Sequence, residues 1–339
     1  MKRINDGSWE GKKVLLRLDL DVPIKDGKVL DNTRLLAARD SVEFLASKVS
    51  NLVICGKIGR PEGYDEGLST KIILSELETI FGFEIGYINN YWVENFNTKF
   101  LLLENLRFWK EDEENDLEFA RKMASGFDCF VNDSFATAHR VAASSVAITE
   151  LLDSYAGMRM VAEVEHLSRL VKYPNRPLVS IIGGAKIETK LPVINALSKI
   201  SDKVLVGGLL PKEISEKNIS FDLNVIVAEL VESGKDVSMK SVEDFEKIIN
   251  TAKEIVWNGP IGNFEQELYS VGTKTLVEIL MRSNAKITVG GGDTISALNQ
   301  FGDISKVDWV SLGGGAMLDF IAGVKMPGIE ALETPTIES

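Results

Sequence analysis

The sequence predicts an α/β protein built as two doubly wound parallel-sheet domains joined by a helical linker. Three observations lead there. Short apolar runs alternate with longer amphipathic stretches along almost the whole chain, that rhythm restarts after a break marked by Pro174 and Pro177, and glycine clusters close the apolar runs of the second half. A chain of 339 residues also exceeds one ordinary hydrophobic core, so two domains are expected on length alone.

The strand candidates are residues 14–20, 52–56, 100–104, 129–132, 178–182, 203–206, 225–228, 254–257, 286–289 and 309–312. Their near-continuous apolar character is that of strands buried on both faces of a parallel sheet. Helical periodicity over 33–47, 116–124, 190–199, 243–252 and 272–281 supplies the covering layers. Residues 1–156 form the first domain in this reading. A helix and linker at 157–176 end at the two prolines, and 177–324 form the second domain. The polar end, 333–339, is expected to lie extended on a surface.

Composition sets limits. Hydrophobic residues make up 45% and charged residues 26%, ordinary for a globular chain, and no apolar run approaches the roughly 20 residues that span a bilayer. The opening MKRINDGSWEGKK lacks the apolar core of a secretion signal, so a cytoplasmic location is expected. Cys55 and Cys129 sit inside apolar runs and read as buried free thiols. With His139 and His166 the only histidines, a histidine-rich metal site is excluded. His139, before Arg140, reads equally as a site or a structural residue, and His166 as plain surface. A net charge of −12 argues against nucleic acid but leaves room for a local arginine cluster around a phosphate.

Four glycine clusters follow apolar runs in the second half: IIGGAK (181–186), VLVGG (204–208), TVGGGDT (288–294) and SLGGGAM (311–317). Glycine there lets backbone amides approach an anion, while the next helix points its positive end at it. One such loop is often only a tight turn; four along one sheet edge favour a bound polyphosphate. Lys186 and Lys190, four apart, can share a helix face. Asp293 is either a helix cap or a carboxylate that reaches a nucleotide-bound magnesium ion. Glu265, in the run WNGPIGNFE, is a candidate acceptor for ribose hydroxyls. Neither GxxxxGK[ST] nor GxGxxG is present, which counts against a P-loop and against a nicotinamide-dependent dehydrogenase.

The first half carries arginines near strand ends instead: Arg17, Arg34, Arg60, Arg107 and Arg140. Period-two geometry puts Arg17, Asp19 and Asp21 on one face of the first strand and Leu16, Leu18 and Leu20 on the other. A lone arginine is more often a surface group. Several at successive strand ends suit a small acid bearing carboxylate and phosphate, which guanidinium forks grip bidentately.

These residues carry a resemblance to the phosphoglycerate kinase family. The matching segments are RLDLDVP through DNTR (17–34), IGRPEG (58–63), LLLENLRF (101–108), VNDSFATAHR (131–140), GGAKIETK (183–190), VWNGPIGNFE (256–265), GGGDT (290–294) and GGGAM (313–317). They follow the family's order and span nearly the whole chain. The resemblance implies reversible phosphoryl transfer between 1,3-bisphosphoglycerate and Mg-ADP, giving 3-phosphoglycerate and ATP. It implies an acid site of Asp19, Asp21, Arg34, Lys57, Arg60, Arg107 and Arg140. It implies a nucleotide site of Gly184, Lys186, Lys190, Gly207, Gly208, Asn258, Pro260, Glu265, Gly290, Gly291, Gly292, Asp293 and Thr294. Arg34, Lys190, Gly291 and Gly314 would act on the migrating group, and Asp293 would reach the Mg2+ through the nucleotide. The linker 157–176 would be a hinge helix, the tail 325–339 would return to the first domain, and the protein would be a monomer.

Departures from the family pattern carry further expectations. Asp21 stands where asparagine is usual, and Gly56-Lys57 where Ser-His is usual; the charges cancel, which suggests that Asp21 and Lys57 pair. Only residues 209–257 separate Gly208 from Asn258, so part of the wall around the nucleotide base is expected to be lost and ATP over GTP is not assured. The loop after IGRPEG and the stretch before LLLENLRF are also short. A non-catalytic nucleotide or metabolite sensor, or a kinase of another small acid, are the alternatives.

Overall fold

Each apolar run becomes a strand, and four further strands arise where no apolar run marks them, two in a short hairpin and one at each edge of the first sheet. A computed structural model describes residues 1–333, which group into two units, 1–165 with 325–333, and 166–324. Residues 334–339, the rest of the expected tail, lie outside the described residues. In the first unit lie β1 (Lys13–Arg17), the hairpin strands β2 (Ile24–Lys25) and β3 (Lys28–Val29), β4 (Asn51–Cys55), β5 (Gly86–Ile88), β6 (Phe100–Leu103), β7 (Cys129–Asn132) and β8 (Asp153–Ala156). Six of them make one parallel sheet in the order β5-β6-β4-β1-β7-β8. The short β5 and the polar β8 carry no apolar run, which is why periodicity passes over them.

β1 stops at Arg17 because both neighbours stop there: Arg17 is opposite Cys55 on one side and Asn132 on the other. Its alternation divides the core as a two-residue period requires. Val14 and Leu16 join Leu52 and Ile54 on one face, while Leu15 joins Val53, Leu103 and Phe130 on the other. The helix expected over 33–47 is two, Thr33–Ala37 and Arg39–Ala46, separated at Ala38, whose N–H bonds the Leu35 carbonyl in a tightened turn.

The second unit holds β9 (Leu178–Ile182), β10 (Lys203–Val206), β11 (Val225–Val227), β12 (Glu254–Asn258), β13 (Lys286–Gly290) and β14 (Trp309–Ser311). They form a parallel sheet ordered β11-β10-β9-β12-β13-β14, a doubly wound order that reverses between β9 and β12.

The helix Met158–Lys172 begins in the first unit and ends in the second. Its first turn is held by Asp133, 4% exposed at the end of β7, whose Oδ1 accepts the Met160 N–H at 2.8 Å. Residue 157 must be glycine, since a Cβ there would lie 2.3 Å from the Asp133 Cγ. Burial pushes the Asp133 carboxyl up to about 6, with the Ser41 hydroxyl, the Met160 amide and Arg159 pulling the other way. The folded state then keeps a proton that the unfolded chain has released, so stability falls as pH rises toward 6 and stays lower above it. Denaturant melts of wild type and Asp133→Asn should therefore diverge by up to about 3 kcal/mol, against the wild type, between pH 4 and pH 7. A pH-independent difference would refute this account.

Later turns of the same helix pack within the second unit. Arg169 pairs with the buried Glu254, which also accepts the Asn175 N–H at 2.7 Å. His166 is not the plain surface residue expected from sequence. It is half-buried, stacks on Trp309 at 4.6 Å between ring centroids, and lies 2.8 Å through Nε2 from the Thr288 hydroxyl.

Candidate functional site

A doubly wound sheet leaves a crevice where its strand order reverses, because the loops on either side turn in opposite directions. In the second unit that point is the carboxyl end of β9 and β12, and a cavity of about 810 Å3 opens there. Its floor consists of backbone drawn unusually close. A Cβ on Gly183 would lie 2.0 Å from the Pro260 carbonyl oxygen, and one on Gly208, at φ +70°, would lie 2.5 Å from the Gly184 oxygen. Only glycine permits these crossings.

The helices Ile187–Ile200, Gly292–Phe301 and Gly315–Ile321 begin at the cavity, and the positive ends of their dipoles favour an anion there. Gly291 and Gly314 come together: a Cβ on Gly314 would sit 4.0 Å from the Gly291 Cα. Lys190 donates to Asn258 Oδ1 at 2.7 Å, and Asn258 Nδ2 donates to the Gly290 carbonyl at 2.7 Å, so the amine is aimed by a fixed amide. Burial pushes the Lys190 amine below the ordinary lysine range, while Asp293 opposes the shift.

Most nucleotide-side residues expected from sequence line this cavity: Gly184, Lys186, Lys190, Gly208, Asn258, Pro260, Glu265, Gly291, Gly292, Asp293, Thr294 and also Gly314. Gly207 and Gly290 lie behind the lining, where Cβ atoms would strike Ile261 and the Met317 sulfur. The Thr294 hydroxyl accepts the Gly259 N–H at 2.7 Å and shapes the loop. Asp293 is exposed in the first helical turn and does not cap it, because the cap position belongs to Gly291. Among the described residues no three His, Cys, Asp or Glu side chains gather as a metal site. The lining carboxylates Glu265, Asp293 and Asp319 do not gather, so a divalent ion here would take most of its oxygen ligands from a bound anion, a donor set that suits Mg2+.

Leu209, Phe264, Leu318 and Asp319, not among the expected site residues, also line the cavity. They add three apolar side chains and a carboxylate to the lining. The signal for two of them was present, since Leu318 and Asp319 fall one turn past the GGGAM glycines.

In the first unit the expected acid-site residues sit on the connections that follow β1, β4, β6 and β7 and on the helix Thr33–Ala37. Arg34 Nη1 donates to Asp19 Oδ1 at 3.2 Å. Burial raises the Asp19 carboxyl above its usual range, Asp21 adds to the rise, and Arg34 and Arg17 oppose it. Arg107 is largely buried and pairs with Glu113; Arg60 and Arg140 are exposed, and Arg140 Nε donates to His139 Nε2 at 3.3 Å. Arg17 is not a groove-lining residue. It is 1% exposed, donating from Nε to Ser144 Oγ at 3.1 Å and from Nη1 to Thr137 Oγ1 at 2.7 Å.

The expected Asp21–Lys57 pair does not form. Asp21 Oδ1 accepts the Gly59 N–H at 2.8 Å, while Lys57 Nζ lies 2.6 Å from Asp112 Oδ2. Summing charges along the sequence suggested the wrong partner; the fold brings Asp112 there from the connection after β6.

Known proteins share this sequence pattern and this fold. The sequence matches the phosphoglycerate kinase family over residues 4–218 and 212–324. A phosphoglycerate kinase of Borrelia garinii subsp. bavariensis is 34% identical over 390 residues, covering 98% of this chain and 99% of that protein. One from Leptospira biflexa is 32% identical, covering 97% of each. Alignments of that span against 339 residues mean that the relatives carry segments this chain lacks. The solved phosphoglycerate kinase of Coxiella burnetii is similar at a TM-score of 0.83 and 30% identity, and that of Pyrococcus horikoshii at 0.86 and 27%, each covering 98% of both chains.

Proposed function

The chain belongs to the phosphoglycerate kinase family, and from that premise we propose that it transfers a phosphoryl group reversibly between 1,3-bisphosphoglycerate and Mg-ADP, giving 3-phosphoglycerate and ATP. The observation that carries the reading is the cavity at the β9/β12 reversal, where glycine loops, three helix starts and Lys190 converge on a volume suited to a nucleotide.

In this reading the second unit holds the nucleotide. Backbone amides around Gly184, Gly291, Gly292 and Gly314 take the phosphates, the close crossing at Gly208 shapes the floor, Lys186 and Lys190 neutralise the charge, and Leu209, Phe264 and Leu318 pack the base. Bound Mg2+ would supply charge neutralisation on the phosphates, with Asp293 as its protein carboxylate. The first unit holds the acid through Asp19, Asp21, Arg34, Arg60, Arg107 and Arg140. Transfer requires the two ligands to meet, and the segment 157–176 serves as the hinge. An acyl phosphate is already reactive, so positioning and charge stabilisation suffice and no activated nucleophile is needed. We place the enzyme in the cytoplasm as a monomer.

A coupled assay with 3-phosphoglycerate and Mg-ATP tests the reading, and turnover that depends on both substrates is the expected result. Thermal stabilisation by nucleotide without turnover would favour a sensor. Turnover with a different acid only, across a panel of small phosphorylated acids, would favour another kinase.

A further inference from the structure

Among the described residues of the first unit, Lys57 and Asp112 form the most deeply buried ion pair, with side chains 8% and 0% exposed. Burying two charges gives little net stability, because desolvation offsets the attraction. Its place in the fold is therefore more informative than its strength. The Lys57 loop is fastened to the segment that carries Arg107: Leu106 N–H donates to the Gly56 carbonyl at 3.1 Å, and Asn105 bonds both the N–H and the carbonyl of Ile58. Asp112 reaches the other way. Its Oδ1 accepts the Ser144 N–H at 2.7 Å and its carbonyl accepts the Ala143 N–H at 2.7 Å, just past Arg140. Ser144 in turn accepts from Arg17, which also bonds Thr137.

We propose that Lys57 is a positioning residue: through Asp112 it ties together the three segments that present Arg60, Arg107 and Arg140, and it does not itself touch the acid substrate. This rests on the proposed function, and it revises the role that the family pattern gives to position 57. Two further observations fit. The Lys57 amine faces Asp112, with Arg17 and Arg107 close enough to oppose its charge, so Asp112 already supplies the counter-charge that the amine needs. Arg60 and Arg140 are exposed, and a guanidinium on a mobile loop loses the fixed fork geometry that bidentate recognition needs.

Steady-state kinetics of Lys57→Met, Asp112→Asn and the double variant decide the matter. A positioning pair predicts that both single variants raise KM for 3-phosphoglycerate about tenfold or more, with KM for Mg-ATP changed less than about twofold. The double variant, with an apolar group facing a neutral amide, should regain most of the thermal stability lost by the singles and still show the raised KM. Direct contact with substrate predicts the opposite for Asp112→Asn, because freeing the amine would lower KM; that result overturns the proposal. A double variant that regains both stability and KM overturns it too, since the pair would then only fill space. Should Lys57→Met fail to fold, Asp112→Asn still separates the two readings; should Asp112→Asn fail, a double variant that regains KM still overturns the proposal. Absence of wild-type turnover would defeat the functional reading instead, so the two failures are distinct.

Discussion

Arg34→Ala is expected to lower kcat by about 10³-fold or more, with KM for Mg-ATP nearly unchanged. The phosphoryl group in flight carries spread negative charge, and a catalyst that forms no covalent bond must stabilise it with groups fixed beforehand. Arg34 suits the role proposed for it. Its hydrogen bond to Asp19 at 3.2 Å orients the guanidinium while using one of its five donors. Asp19 is largely buried, so the pair resists solvent screening. Arg34→Lys keeps the charge but loses the planar fork, so its kcat should fall between those of wild type and Arg34→Ala. The coupled assay reads both, and a kcat for Arg34→Ala within fivefold of wild type would remove Arg34 from the transfer step. Without Arg34, the Asp19 carboxyl loses the main partner opposing its upward shift, so the variant should also lose more activity at mildly acidic pH.

How much of this was legible depends on whether the signal is local. β7, β9 and β10 coincide with their apolar runs because a strand buried on both faces writes itself into consecutive residues. The glycine loops were legible for the same reason: a backbone crossing such as Gly183 against Pro260 tolerates no side chain, and the clusters remain visible as letters. What failed was partnership across the fold. Asp112 lies in an acidic run, KEDEEND, indistinguishable from a solvated helix start, and only the parallel order β6-β4-β1-β7 carries it to Lys57. Arg17 read as a groove residue because alternation gives a face but not what covers it, and Ser144 and Thr137 cover it from far along the chain. His166 was lost likewise: a histidine among polar helix neighbours gives no hint of Trp309 beneath it.

The glycines themselves offer a separation of two roles that one letter conceals. Gly183→Ala is expected to destabilise the second unit by at least about 3 kcal/mol and to abolish nucleotide binding, because its Cβ would lie 2.0 Å from one backbone oxygen and 2.6 Å from another. Backbone cannot swing aside as a side chain does, so β9 and β12 would have to part where they support the cavity. Gly292→Ala meets no heavy atom within 4 Å and occupies the first position of a helix, where alanine is the better helix former. Its stability should be unchanged or slightly higher. Yet its methyl would stand where the proposed phosphates approach the loop, so KM for Mg-ATP should rise about tenfold. Denaturant melts and nucleotide titrations of the two variants test the distinction together. If Gly292→Ala bound nucleotide as the wild type does, the loop after β13 would be no phosphate cradle. If Gly183→Ala kept its stability, the close crossing at the strand reversal would not be what holds the cavity in shape.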